Sequence, residues 1–376
     1  MTSFALFLSD IINSSSIDNM AKGVGAYFIF PTTLLFLCRS FSANQLWLVL
    51  LSSSMINALR SPLTDEIGFT QESFKFGFST ALVFIILSLS ILVFRLFASF
   101  SSVTIVTYLS ALLIAVLGLW GNLRLLSLCA LIALAVDQFC LFPALRVLIL
   151  KRRNRLSRLV FFSLAFPFLL IATSLIAGYF FYFIIDLLPS DLVSQDALDK
   201  TVRQSQGSLG VLFGGRSEIF SSFLAWTEKP IFGWGSWAAD PNNTFFIAGK
   251  ILMNKFGYDI DIGSLINYIE RVGTYGFIPT HSALLNGLVW SGAIGFIPLY
   301  LVTCQLAINL FELGASNVGY SYPFLFVYTL SLWTFLFSPF GYSTRVSLAI
   351  LMSVALSCSA NLPQASASSV RLSQAH

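Results

Sequence analysis

An all-α, polytopic transmembrane fold is what this chain predicts, and three observations predict it. Of its 376 residues 56% are hydrophobic and only 10% charged, with a mean hydropathy of +0.82, whereas a soluble domain carries roughly 25% charge. Apolar runs near twenty residues recur along the chain, the length that crosses a ~30 Å hydrocarbon core as a helix. Runs such as Thr80 to Phe94 are apolar or small on every face, where a barrel strand would alternate polar and apolar residues. Unpaired backbone groups cost several kcal/mol each in hydrocarbon, so the spans must be helices.

The windows fall near 24–39, 43–59, 76–97, 101–121, 125–149, 159–185, 283–309, 323–338 and 344–361, about nine spans within a range of eight to eleven. They divide the chain into a block of about six transmembrane helices over 1–185, a polar loop over 186–282, a block of about three helices over 283–361, and a Ser/Ala-rich tail over 362–376 expected to be disordered. The apolar run Phe4 to Leu8 is short, follows no basic residue and ends at Asp10, so no signal peptide is expected. Cys38, Cys129, Cys140, Cys304 and Cys358 all fall inside apolar windows, which indicates neither a disulfide framework nor a zinc site. The formal charge is +4, with basic residues at span ends, and nucleic acid is not an expected partner.

Orientation rests on Lys151, Arg152, Arg153, Arg155 and Arg158, the densest basic loop, which the positive-inside rule places in the cytoplasm of a bacterial inner membrane protein. Counting from there makes the loop 186–282 external, along with the turns near 60–75, 121–124 and 339–344. That loop carries ten of the seventeen acidic residues, and a structureless segment of its length is unusual. Within it, Arg216 to Trp226 repeats Ile219, Phe220, Phe223, Leu224 and Trp226 at helical spacing, predicting an amphipathic helix ended by Pro230. Ala283, Gly287, Ser291 and Gly295 form a small-residue stripe at four-residue spacing, the pattern of close helix packing in membranes.

Four places could carry chemistry. Arg216 follows Gly214-Gly215 at the expected helix start, where a cation opposes the macrodipole unless an anion lies between them. Phosphate suits that position, with free N–H groups and the guanidinium fork holding it, and a solvated loop arginine is the plain alternative. Arg124 ends the outer turn Trp120 to Arg124 at headgroup depth, where it binds an anion or merely snorkels. His281 stands where the loop re-enters the membrane behind Thr280 as N-cap. A helix N-terminus favours its neutral, proton-accepting form, set against a purely structural role. Asp137, read as mid-span, is a functional candidate by default. Asp259 and Asp261, an Asp-Ile-Asp of common type, are not read as a metal site.

The chain resembles the bacterial O-antigen polymerase and O-antigen ligase superfamily. The resemblance is carried by Asn122-Leu-Arg124-Leu-Leu, by Arg216-x9-Trp226, by Lys229-Pro-Ile-Phe-Gly233-Trp-Gly235, and by His281-Ser-Ala-Leu-Leu-x3-Val-Trp-x-Gly292-x2-Gly295. This chain has Leu123-Arg124 where the family has Ser-Arg, and His281-Ser282 where it has His-Asn. The resemblance implies a metal-independent, inverting glycosyltransferase without cofactor. It implies further that Arg216 and Arg124 bind the pyrophosphate of an undecaprenyl-pyrophosphate-linked oligosaccharide and that His281 serves the transfer. Chain-length regulator and flippase proteins are its expected partners. Three other readings stay open: a ligase transferring glycan to lipid A core, a polyprenyl-phosphate-sugar glycosyltransferase using Asp65 and Glu66, and a flippase for lipid-linked sugars.

Overall fold

The computed structural model describes residues 1–64, 79–96, 100–120, 124–140, 155–187, 199, 202–216, 218–260, 262–272, 276–280, 282–315, 321–338, 340 and 342–360. Among these residues the chain is helical, and its extended pairing is confined to an isolated antiparallel bridge between Ala239 and Phe277. The helices are α1 (Thr2–Ile12), α2 (Ile17–Ser40), α3 (Ala43–Thr64), α4 (Ser79–Leu96), α5 (Phe100–Trp120), α6 (Arg124–Phe139) and α7 (Arg155–Leu187). In the polar loop they are α8 (Val211–Gly214), α9 (Glu218–Glu228), α10 (Thr244–Lys255) and α11 (Ile262–Val272). After it come α12 (Ala283–Ala315), α13 (Ser321–Phe337) and α14 (Tyr342–Ala360).

Each expected apolar window overlaps one of these helices, while residues 76–78, 97, 121, 141–149 and 361 of those windows lie outside the described residues. Three stretches, Ile17–Ser40, Leu156–Tyr179 and Ala283–Ala315, are long and apolar enough to cross a membrane, and shorter apolar helices accompany them. Local chemistry sets their ends. The Ser16 hydroxyl accepts from the Asn19 N–H at 3.2 Å before α2, and Lys22 pairs with Asp18 one turn back at 2.5 Å. Ser42 and Gln45 exchange bonds before α3, the Ser42 N–H donating to Gln45 Oε1 at 2.8 Å, a capping box.

The chain forms two compact units, residues 1–31, 159–304 and 334–345 in one, and 32–158, 305–333 and 346–376 in the other. In the second, hydroxyls turn back on their own helices, Ser54 to the Leu50 carbonyl at 2.8 Å and Ser90 to that of Ile86 at 2.8 Å. Arg158, one of the five residues that set the orientation, pairs with Glu312. Lys151, Arg152 and Arg153 lie outside the described residues. Asp137, read as mid-span, lies in the last turn of α6, which ends at Phe139, and residues 141–149 of the expected span lie outside the described residues. Asp137 accepts from the Gln138 amide at 3.4 Å.

In the first unit the loop helices close on Tyr258, fully buried and packed with Phe220 and Met253. Its hydroxyl donates to the Gly210 carbonyl at 2.7 Å. A Cβ at Gly207 would stand 2.2 Å from the ring and one at Gly214 2.6 Å, so the chain wraps the phenol only as glycine. Gly214 therefore answers to packing around Tyr258, whereas a Cβ on Gly215 would meet only Gln204 and Val211, at 3.4 Å.

Candidate functional site

Helix α12 is broken. Gly292 has φ 59° and ψ −156°, open to glycine alone, and divides it into segments 283–291 and 293–315. The segments fold towards each other: a Cβ on Gly287 would lie 2.3 Å from Leu299 Cδ1 and 3.8 Å from the Gly295 carbonyl oxygen. In a straight helix residues 287 and 299 would be about 18 Å apart. The small-residue stripe expected to receive another helix thus serves, at Gly287, the fold of α12 on itself. Residues 293–315 alone rise about 34 Å.

A break in an apolar helix leaves carbonyls and N–H groups without their i−4 partners, and the loop supplies them. Trp234 N–H donates to the Val289 carbonyl at 2.8 Å and Gly235 N–H to that of Trp290 at 3.0 Å. In return Ala293 N–H donates to the Pro230 carbonyl at 2.8 Å. The approach is backbone against backbone: a Cβ on Gly292 would stand 2.4 Å from the Ile231 oxygen, and one on Gly233 2.5 Å from the Val289 oxygen. Gly233 (φ 70°) and Gly235 (φ 83°) also occupy the left-handed region. The glycines of Lys229-Pro-Ile-Phe-Gly-Trp-Gly and of the stretch after His281 therefore meet in one joint.

Helix α1, which the sequence did not assign, completes the joint. It buries Ala5, Leu6, Ser9 and Asp10. The Ser9 hydroxyl donates to the Trp290 carbonyl at 2.7 Å. The Asp10 carboxylate, fully buried, accepts from the Ser236 N–H at 2.6 Å and the Ser236 hydroxyl at 2.8 Å. Asn13 bridges the Gly233 carbonyl, at 3.1 Å, and Lys229, which donates to its side-chain oxygen at 2.6 Å and lies 4.1 Å from the Trp234 ring centroid. The one sequence signal for all this was a buried-type acid, Asp10, in an apolar run.

Aromatic rings continue from the joint. Trp237 meets Trp290 in a tilted contact at 5.3 Å, Trp290 meets Tyr27 at 6.4 Å, and Tyr27 meets Phe340 at 5.2 Å. Arg345 lies 5.7 Å from the Phe340 centroid. The Tyr27 hydroxyl donates to the Ala283 carbonyl at 2.5 Å, two residues beyond His281. Arg345 was not among the sequence candidates, because nothing local distinguishes an arginine that opens an apolar helix.

Of the expected site residues, Arg216 is described in full. It precedes α9 by two positions, since the helix begins at Glu218 and not at the arginine, and its carbonyl accepts from Ile219 N–H at 3.1 Å. The anion beside it is Glu218, in the first turn of α9. Burial lowers the arginine's pKa, and the Glu218 charge opposes that shift. His281 lies outside the described residues, but its neighbours do not. The Ser222 hydroxyl of α9 donates to the Pro279 carbonyl at 2.9 Å, tying the helix that follows Arg216 to the approach to His281. The N-cap of α12 is Ser282, whose hydroxyl accepts from Leu285 N–H at 2.9 Å. Thr280, expected in that role, bonds to the Asn286 side chain instead. Arg124 opens α6, and its side chain lies outside the described residues. Asp259 is exposed, and Asp261, Asp65 and Glu66 lie outside the described residues.

Asp240 caps α10, accepting from Phe245 N–H at 2.9 Å and Phe246 N–H at 3.0 Å, while burial pushes its carboxyl up against the pull of those bonds. No family model matches the chain, and no curated protein or solved structure matches it.

Proposed function

We propose that this chain is a membrane glycosyltransferase that polymerises undecaprenyl-pyrophosphate-linked oligosaccharide repeat units into O-antigen or exopolysaccharide at the outer leaflet of a bacterial inner membrane. The observation that carries the reading is the Ser222 to Pro279 bond, which joins the Arg216 helix to the segment preceding His281. The clasp of residues 230–235 holds α12 at its break, through Val289, Trp290 and Ala293. In this reading Arg216, with Arg124, holds the donor's pyrophosphate, and His281 takes the proton of the acceptor hydroxyl. The acceptor oxygen bonds to the anomeric carbon as the carbon–pyrophosphate bond breaks, with inversion. The electron pair leaves on the lipid pyrophosphate, so neither metal nor cofactor is needed to balance the step. Chain-length regulator and flippase proteins are the proposed partners.

Incubating the purified protein with a lipid-linked repeat unit tests this. A product ladder supports polymerisation, and a single capped product formed only with lipid A core converts the reading to a ligase. His281→Ala is expected to lower transfer ~10²–10⁴-fold, the usual worth of a general base. Arg216→Lys keeps the charge and loses the fork, so normal donor binding in that variant would remove the pyrophosphate clamp from the scheme.

The break in α12 favours a second reading, a flippase for the same lipid-linked sugars, because transporters build substrate sites at discontinuous helices. Against it, the backbone groups at Val289, Trp290 and Ala293 are engaged by the loop and not left for a ligand. Transbilayer movement of the lipid-linked unit in proteoliposomes, without chain growth, would establish the flippase.

A further inference from the structure

In the second unit, α3, α4 and α13 enclose a groove of about 370 Å³ that plays no part in the proposed transfer. Its two ends differ in chemistry. One is apolar, formed by Leu48, Leu51, Ile91 and Leu92. At the other stand Asn44, in the first turn of α3, and Arg95, in the last turn of α4. Among the described residues no carboxylate lies within ion-pair distance of Arg95. The Gln45 N–H of α3 is taken by the Ser42 hydroxyl, and the N–H groups of Ala43 and Asn44, at the same end as Arg95, have no partner within the helix. Guanidinium, carboxamide and helix N-terminus together favour an anion there.

The floor is held by the protein's own hydrogen bonds and ring contacts. Trp47, only 8% exposed, donates its indole N–H to the Ser88 hydroxyl at 3.0 Å, and that hydroxyl donates to the Phe84 carbonyl at 2.7 Å. Phe84 and Phe324 meet the indole edge-on at 6.1 and 5.6 Å. The groove is therefore built by the protein's own packing.

We propose that this groove is a binding site for an anionic phospholipid, its headgroup phosphate against Arg95 and Asn44 and an acyl chain along Leu48, Leu51 and Leu92. A zwitterionic lipid fits the apolar wall equally but carries a second, cationic charge towards Arg95. Charge therefore decides between lipids. In the expected orientation the polar end lies at the cytoplasmic surface, whose leaflet attracts cations at about 1 kcal/mol per Lys or Arg. This inference is independent of the transfer reaction.

Native mass spectrometry of the detergent-purified full chain, titrated with phosphatidylglycerol and separately with phosphatidylcholine, tests it. The wild type is expected to retain one phosphatidylglycerol more tightly than the rest. Arg95→Gln should weaken that lipid on the order of fivefold, the equivalent of about 1 kcal/mol, with phosphatidylcholine unchanged. Leu92→Trp, which fills the groove and leaves the charge, should remove the tight lipid as well, and Arg95→Lys should retain it. Equal retention of the two lipids by the wild type, or an undiminished preference in Arg95→Gln, overturns the proposal. Should Arg95→Gln fail to fold, Leu92→Trp decides by the same criterion.

Discussion

The two compact units solve the problem of polar groups in an apolar chain in opposite ways. In the unit containing α3, α4 and α5, hydroxyls bond one turn back within their own helix, as Ser54, Ser88 and Ser90 do, and side-chain contacts between helices, such as Ser90 to Ser110 and Arg158 to Glu312, are added to that local satisfaction. In the unit containing the loop, polar groups reach across the sequence. Ser9 bonds a carbonyl 281 residues away, and Asp10 a serine 226 residues away. A helix that satisfies itself tolerates substitution, because its backbone ladder survives the loss of any side chain. A broken helix depends on outside partners, each of which is necessary.

This contrast ranks mutations. Gly292→Ala is expected to have the largest effect, more than about 4 kcal/mol, because it combines forbidden backbone geometry with a Cβ 2.4 Å from the Ile231 oxygen. Loss of a monodisperse peak in detergent gel filtration is the readout, and retention of a wild-type melting temperature would show that the joint is not a requirement of the fold. Asp10→Asn comes next, at about 2–3 kcal/mol by thermal unfolding, since it weakens two short bonds to a buried charge. Ser222→Ala should cost about 1 kcal/mol. Ser90→Ala, in the other unit, should cost about 0.6 kcal/mol or less despite its 2.6 Å contact with Ser110. If Ser90→Ala proved as damaging as Asp10→Asn, the contrast between the units would fail. Gly25→Ala closes the series: nothing lies within 4 Å of a Cβ there, so alanine should be neutral or stabilise α2 by up to about 1 kcal/mol.

The helices were legible because bilayer length and apolar composition are local properties. The amphipathic helix after Arg216 was legible for the same reason, apart from its start, which falls at Glu218. What was not legible is non-local. The break at Gly292 sits in a 33-residue apolar stretch whose composition is unchanged across it, and only the partner loop tells the glycine apart from a packing glycine. The small-residue spacing of Gly287, Ser291 and Gly295 fits two folds equally, one helix against another or one helix against itself. Thr280 and Ser282 are both acceptable caps, and the side chain of Asn286 decides between them by engaging the threonine. Asp10 and Arg345 became site candidates only through neighbours far along the chain.

The joint at Gly292 also carries a consequence for biogenesis. Ribosomes deliver α1 first, residues 230–235 next and α12 last, so both clasping pieces exist before the helix they clasp. When α12 emerges, its orphaned carbonyls meet partners that are already waiting, and the costly interval of unpaired backbone in hydrocarbon is brief. A chain translated with α1 deleted would reach that moment without the Ser9 and Asp10 contacts. Its defect should therefore appear as failed maturation, with full-length protein made, inserted and then degraded.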